Sequence, residues 1–301
     1  MLFRSAGVLV ANIGHNHAGF EARLRTYLAG LPRTSYNFVT PVQAEAAERL
    51  AASTGLPGRK VLWAASGSEG VQKAMWCARH RYPARPIMLA TCGGFHGKKG
   101  LAGDVTMGGT HPDVRWVSFP RHNAIGPADV QRELDALAAQ YPGQISLLIT
   151  EPYLGAAGSY HPPAWYHRLL QDWCRAHEVA LIFDEVQSCH GRTGRMYAFE
   201  TYGVAPDLVV LGKGLGSGVP VAAVVGRTDL IDALDYGEAS DTFSANPEAC
   251  AAVCATLDVF EQEDIVARAA ATGKDLHARL ETLMRQTPGA MAVRGEGMVY
   301  G

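Results

Sequence analysis

The chain has 301 residues, nearly half of them apolar at 48%, which is enough to bury a core for one large domain and a smaller second one. Its net charge of -2, from 27 basic and 29 acidic residues spread along the chain, gives no electrostatic footprint for nucleic acid or an anionic membrane. The partners to expect are small molecules and other protein chains. The six cysteines (Cys77, Cys92, Cys174, Cys189, Cys250, Cys254) include no CxxC pair and read as reduced thiols of a cytoplasmic protein. Residues 6–13 are apolar but too short to span a bilayer and lack a following cleavage signal, so they read as a strand or loop.

Thr40-Pro41-Val42-Gln43 opens a helix, with a Thr cap, Pro at the first position and Gln three residues after the cap, and Gly55 stops it. Short runs rich in Val, Ile and Leu then recur at 61–65, 87–91, 114–119, 145–150, 179–184, 208–211 and 221–225. Continuous rather than alternating apolar runs imply strands covered on both faces, and amphipathic helical patterns between several of them imply an α/β layered domain. Later helices are expected from Asn246-Pro247 through Phe260 and over 268–285.

Chemistry gathers just past the strand ends. Ser66-Gly67-Ser68-Glu69-Gly70 follows the first run and precedes the helical stretch 71–81. A glycine and hydroxyls at a helix start can cup a phosphate, since the first amides are free and the dipole favours negative charge; the same residues also read as a plain capping box. Gly93-Gly94-Phe95-His96-Gly97 follows the second run, either as backbone and a ring face set against a flat ligand or as an ordinary glycine turn. Glu151 follows the fourth run and Asp184 ends the fifth. A carboxylate at a buried strand end needs a cation or donor, for which a protonated pyridine nitrogen would serve, although Asp184 could also cap a turn. The sixth run delivers Gly212-Lys213-Gly214-Leu215-Gly216-Ser217-Gly218. A partly desolvated lysine there can reach a bound carbonyl as a neutral amine. These glycines are not a dinucleotide fingerprint, because Val219-Pro220 and a strand follow where a helix should open, and the spacing is not that of a Walker A loop. Glu151, Asp184 and Lys213 thus share the sheet edge at which open α/β folds bind ligands. The pairs His15/His17 and His161/His167 lack carboxylate or cysteine companions at ligand spacing, so no metal site is expected. Cys250 and Cys254, one helical turn apart, read as core residues.

Taken in order, SGSEG at 66–70, GGFHG at 93–97, DEVQ with GRTG across 184–194, LGKGLGSG at 211–218 and TFSANP at 242–247 resemble the class III aminotransferases, the pyridoxal-phosphate family of fold type I that includes ornithine and 4-aminobutyrate aminotransferases. The resemblance implies an α/β/α large domain over 41–265 around a mostly parallel seven-stranded sheet, preceded by a segment 1–40 and followed at 266–301 by an incomplete small domain. It implies that Lys213 forms a Schiff base with pyridoxal 5'-phosphate and, once freed by an amine substrate, removes the alpha proton. It further implies that Asp184 keeps the ring nitrogen protonated, Gly67 and Ser68 hold the phosphate, and Phe95 stacks on the ring next to His96. Gln187 would face the ring hydroxyl, and Glu151 would lie towards the substrate. Thr242 would reach the phosphate in a neighbouring subunit, so a homodimer is expected.

Departures from the family pattern are Gly70 for Ala, Lys98-Lys99 for Arg-Thr, and Ser188-Cys189-His190 for Thr-Gly-Phe. Residues 293–298 resemble the opening of the family's small domain, and the sequence ends at Gly301, before the arginine that binds the substrate carboxylate. The activity expected is transfer of an amino group from an amine or amino acid to an oxo acid. The alternatives are an aminomutase, epimerase or decarboxylase built on the same cofactor site, or a truncated, inactive chain that retains the fold.

Overall fold

A computed structural model describes residues 6–36, 38–121, 125–289 and 292–301. Seven strands form one sheet: β1 (Arg59–Ala64), β2 (Ile87–Thr91), β3 (Val114–Val117), β4 (Ile145–Thr150), β5 (Ala180–Asp184), β6 (Leu208–Leu211) and β7 (Ala222–Arg227). Their order is β1-β7-β6-β5-β4-β2-β3, with β7 antiparallel to both its neighbours and every other pairing parallel. All seven expected runs are strands, and the two-sided coverage inferred from their composition holds.

The helices, in chain order, are α1 (Ala18–Leu28), α2 (Pro41–Ser53), α3 (Gly67–Arg81), α4 (Gly100–Asp104), α5 (Pro127–Gln140), α6 (Ala164–Ala176), α7 (Phe199–Tyr202), α8 (Thr228–Ile231), α9 (Pro247–Gln262) and α10 (Ile265–Gln286). A hairpin of β8 (Gly295–Glu296) and β9 (Val299–Tyr300) closes the described chain. Residues 6–13 form turns rather than a strand.

Alternation along each strand divides the core. Leu148, Leu181, Phe183 and Val209 face α2, α5, α6 and α9, whereas Leu147, Ile149, Ile182 and Val210 face α3 and α8. Each such fully buried Leu, Ile or Phe contributes roughly 1.5–3 kcal/mol of transfer free energy. The helix starts follow their capping chemistry. Gln43 Oε1 accepts from Thr40 N at 2.6 Å at the start of α2, Ser66 and Glu69 form a capping box on α3, and Asn246 accepts from Ala249 N at 2.8 Å to cap α9.

Three of the paired histidines, His17, His161 and His167, make contacts within the fold. His17 caps α1 and meets Glu263 at 3.2 Å, and His161 stacks on Tyr153. His167 donates through Nε2 to Pro152 O at 2.9 Å. His190 is 1% exposed, flanked edge-on by Tyr197 and Phe260, and neither ring nitrogen has a partner among the described residues. Burial pushes the His190 and His167 rings down to about 4. An unfolded histidine titrates near 6.5, so between these values the unfolded chain binds more protons than the native one. The stability tied to these neutral rings is whole above pH 6.5 and is lost as pH falls through 4. Putting phenylalanine at 190 removes two orphaned nitrogens, and His190→Phe is expected to stabilise the chain by about 1–3 kcal/mol at neutral pH. It should also shift acid unfolding to lower pH. Urea midpoints at pH 7.5 and 5.5 check this; an unchanged or lower midpoint at both pH values contradicts it.

Candidate active site

The strand order turns back on itself between β2 and β4, since the chain runs outward from β2 to β3 and in the opposite direction from β4 through β5 to β6. Such a switch point opens a crevice at the carboxyl ends of the strands. A cavity of about 220 Å³ lies there, lined by Gly67 and Ser68 after β1, Phe95 and His96 after β2, Glu151 after β4, Asp184 and Gln187 after β5, and Lys213 after β6. Eight of the nine residues singled out in the sequence therefore meet in one space. Thr242 does not; it is exposed on the turn that precedes α9.

The wall at α3 begins with the capping box. Ser66 Oγ accepts from Glu69 N at 3.4 Å, and Glu69 Oε2 accepts from the amides of Ala65 and Ser66 at 3.0 Å. The cap leaves the first helical amides, those of Gly67 and Ser68, without intrahelical acceptors, so cap and phosphate cup coexist. Val186 wedges this helix start against the lysine turn. A Cβ at Gly67 would lie 2.8 Å from Val186 Cγ1, and one at Gly212 would lie 3.3 Å from the same atom. At Gly70, where the family has alanine, a Cβ would come within 2.9 Å of Val210 Cγ1, so the bulk of β6 accounts for the glycine.

Asp184 is 5% exposed and doubly held. Its Oδ1 accepts from Val186 N at 3.0 Å, and its Oδ2 accepts from His96 Nδ1 at 2.8 Å. His96 is held in turn by Thr106, whose Oγ1 accepts from the amides of His96 and Gly97 at 2.9 and 3.1 Å and has Gly97 O and Ala102 O within reach of its single proton. Glu151 accepts from Phe95 N at 2.9 Å and Gly155 N at 3.3 Å. Burial first, and then the neighbouring Asp184, push its carboxyl up to about 7 against the attraction of His96.

Lys213 adopts φ +45° at the start of a single 3-10 turn, Lys213–Leu215. A left-handed non-glycine residue costs roughly 1–3 kcal/mol and persists where the surroundings impose it. Those surroundings include contacts that sequence reasoning missed. Asn12 donates to Cys189 O and His190 O at 3.1 and 2.7 Å and packs so closely on Gly214 that a Cβ there would meet its amide at 2.2 Å. Cys189 Sγ approaches Gly212 O at 3.5 Å. Ser188 Oγ donates to Glu185 Oε2 at 2.8 Å, so the departures at 188 and 189 have local contacts, while nothing in the structure explains the histidine at 190. Asn12 and Thr106 belong to no motif and come from distant parts of the chain, which is why spacing offered no signal for them, and Val186 lies inside the DEVQ block but carries no polar group that would mark it.

The cavity suits pyridoxal 5'-phosphate on this structure's own terms. Gln187 Oε1 and His96 Nε2 are buried with no partner among the described residues, and the Gln187 oxygen occupies room left by Gly155, where a Cβ would lie 1.6 Å from it. An orphaned buried acceptor calls for a donor, as a ring hydroxyl would supply. Free helix amides suit a phosphate, Phe95 offers a ring face, a fixed carboxylate suits a protonated ring nitrogen, and Lys213 suits an aldehyde.

Comparison with known proteins agrees with this geometry. Residues 4–301 match the family described as Aminotransferase class-III. The chain is 34% identical over 296 residues to the acetylornithine aminotransferase of Methanopyrus kandleri, covering 98% of this chain and 74% of that protein. It is 32% identical over 310 residues to the 4-aminobutyrate aminotransferase GabT of Escherichia coli, covering 97% of this chain and 72% of that one. Among solved structures it resembles a PLP-bound amine transaminase from an uncultivated Pseudomonas species, with TM-score 0.88, 30% identity, 99% of this chain and 74% of that chain. The ornithine aminotransferase of Toxoplasma gondii also superposes with TM-score 0.88 at 26% identity, over 98% of this chain and 71% of its own. Fold, site and likeness converge, and the chain belongs to the class-III aminotransferases, whose cofactor is pyridoxal 5'-phosphate.

Proposed function

We propose that this chain moves an amino group from an amine or amino acid to an oxo acid with Lys213 as its reactive amine, and that Gly67, Ser68, Phe95, His96, Glu151, Asp184, Gln187 and Thr242 hold and tune the cofactor. The observation that carries the reading is the convergence of eight of these residues, from five separate strand ends, on one cavity. Bound there, pyridoxal 5'-phosphate supplies an aldehyde that condenses with primary amines and a ring that accepts the electron pair left when a substrate carbon loses its proton.

The rest is the work of the chain. Gly67 and Ser68 present amides at the positive end of α3 to the phosphate. Phe95 would offer its ring face to the pyridine ring. Asp184, oriented by Val186 N and His96 Nδ1, holds a proton on the ring nitrogen by charge-assisted hydrogen bonding. Lys213 Nζ, which lines the same cavity, would take up the proton released at the substrate carbon and hold it for return. Glu151, its carboxyl pushed up to about 7, lines the same cavity, where it can hold or release a proton near neutral pH.

A symmetric homodimer is the working unit in this reading. Thr242 is exposed beside Phe243, which is 70% exposed, and Tyr36, Phe38 and Val39 are exposed as well. Gln43 ties the two segments through Ser35 Oγ at 3.0 Å and Ala245 O at 2.6 Å. An apolar flank of this kind suits burial against a second copy. Residues 41–265 act as the cofactor domain, which contains all seven strands of the main sheet, with 1–40 as an N-terminal segment and 266–301 as part of a smaller domain. No helix among the described residues is long and apolar enough to cross a membrane, and the six free thiols suit a reducing cytoplasm.

A panel of ¹⁵N-labelled amines, including N-acetylornithine, 4-aminobutyrate and 5-aminovalerate, offered with several oxo acids tests the reading. The label should appear on the oxo acid. Return of the label to the donor skeleton alone would instead establish a mutase or epimerase, and light scattering after size exclusion should give twice the chain mass.

A further inference from the structure

Lys73 lies on α3 a little over one turn beyond Gly67 and Ser68, and it is 4% exposed among the apolar neighbours Val71, Ala74 and Met75. A buried ammonium is expensive unless it is fully paired. Its Nζ donates to Trp63 O at 2.6 Å, at the end of β1, and to Asp241 Oδ2 at 2.7 Å, and lies 3.4 Å from Ser244 Oγ. Asp241 in turn organises the turn around Thr242. Its Oδ1 accepts from Phe243 N at 3.1 Å and Ser244 N at 2.7 Å, and its Oδ2 also accepts from Ser244 Oγ. Partial burial works against the charge on Asp241, but Lys73 and the Ser244 donors prevail and hold its carboxyl below the ordinary value.

One ion pair thus joins the helix that starts the phosphate cup to the turn that carries Thr242. Any apolar side chain would fill position 73 without the desolvation penalty, so packing alone does not account for the lysine. We propose that Lys73 is a positioning residue whose pair with Asp241 sets the 241–244 turn, so that Thr242 of one subunit meets the phosphate held at α3 of the other. The proposal rests on the role assigned to Thr242 above. In a two-fold dimer the arrangement links the two cups reciprocally, because each α3 braces the threonine that serves its partner.

The test compares pyridoxal 5'-phosphate with pyridoxal, which lacks the phosphate, by tryptophan-fluorescence titration of the full-length apoprotein. Lys73→Met should weaken pyridoxal 5'-phosphate about tenfold and leave pyridoxal within about twofold, as expected when one coupled polar contact is lost. Thr242→Val should reproduce that pattern, and adding Lys73→Met to it should cost less than about twofold more, since both act through one contact. Lys73→Arg, which keeps a cationic donor, should recover most of the affinity. If Lys73→Met does not fold, Asp241→Asn serves in its place, because the amide oxygen still accepts from the turn while the ion pair is gone. Equal weakening of both cofactors, or fully multiplicative penalties in the double variant, overturns the proposal in favour of a general structural role. A neutral Lys73→Met beside a weakened Thr242→Val overturns the strut alone, whereas a neutral Thr242→Val overturns the cross-subunit reading and the strut together.

Discussion

Lys213→Ala is expected to lower transamination by about 10⁴-fold or more, because one side chain is asked to serve both as the amine that joins the cofactor and as the base at the substrate carbon. Borohydride treatment of the cofactor-loaded wild type should tag the peptide containing Lys213, and the alanine variant should leave that peptide untagged. Tagging at another lysine, with activity retained in the variant, would remove the basis of the proposed function. The backbone adds a second readout. Lys213 sits at φ +45°, a conformation that glycine adopts freely, so Lys213→Gly should be more stable than Lys213→Ala by about 1 kcal/mol. Urea midpoints of the two inactive variants measure that difference. Equal midpoints would mean that the turn carries no strain.

Asp184→Asn should be the next most damaging change. Asparagine keeps the shape and can still accept from Val186 N, but it has no charge with which to keep a ring nitrogen protonated. Removing one partner of a buried charge pair costs about 3–5 kcal/mol, which corresponds to roughly 10²–10⁴-fold in rate. Single-turnover kinetics on the cofactor-loaded protein should show that loss in the proton-transfer step, with a much smaller effect on cofactor affinity. His96→Asn should act in the same direction but less severely, since Val186 N still orients the carboxylate. A rate within tenfold of wild type for Asp184→Asn would show that Asp184 is not the partner of the ring nitrogen.

Several features were legible because their cause is local. β4 is buried at all six positions, and a strand shielded on both faces has no reason to alternate, so its apolar run Ile145–Thr150 announced both its type and its environment. The starts of α2, α3 and α9 were readable from caps because the hydrogen bonds that begin a helix involve residues three apart. Lys213 and Asp184 were legible for a related reason. A charged residue directly after an apolar run conflicts with its surroundings, and a conflict of that kind marks a site.

Other features had no local cause. Nothing near Asn12 indicates that it will bond Cys189 O and His190 O across more than 170 residues, and nothing near Thr106 indicates that it will fasten the turn that carries His96. Lys73 reads on the sequence as one more polar position of α3, and only its packing against Asp241 makes it a buried cation. The orphaned nitrogens of His190 arise in the same way, from where Tyr197 and Phe260 come to lie.

The sequence by itself therefore determined the strands, the capped helices and which charged and polar residues stand at the strand ends, because each depends on residues within a few positions of one another. The tertiary structure alone decided that eight of those groups share a cavity while Thr242 stands apart from it, and which distant side chains brace them. The physical reason is the strand order. Reversal of winding between β2 and β4 opens the crevice, and that order depends on how the helices pack over both faces of the sheet, which no stretch of sequence encodes on its own.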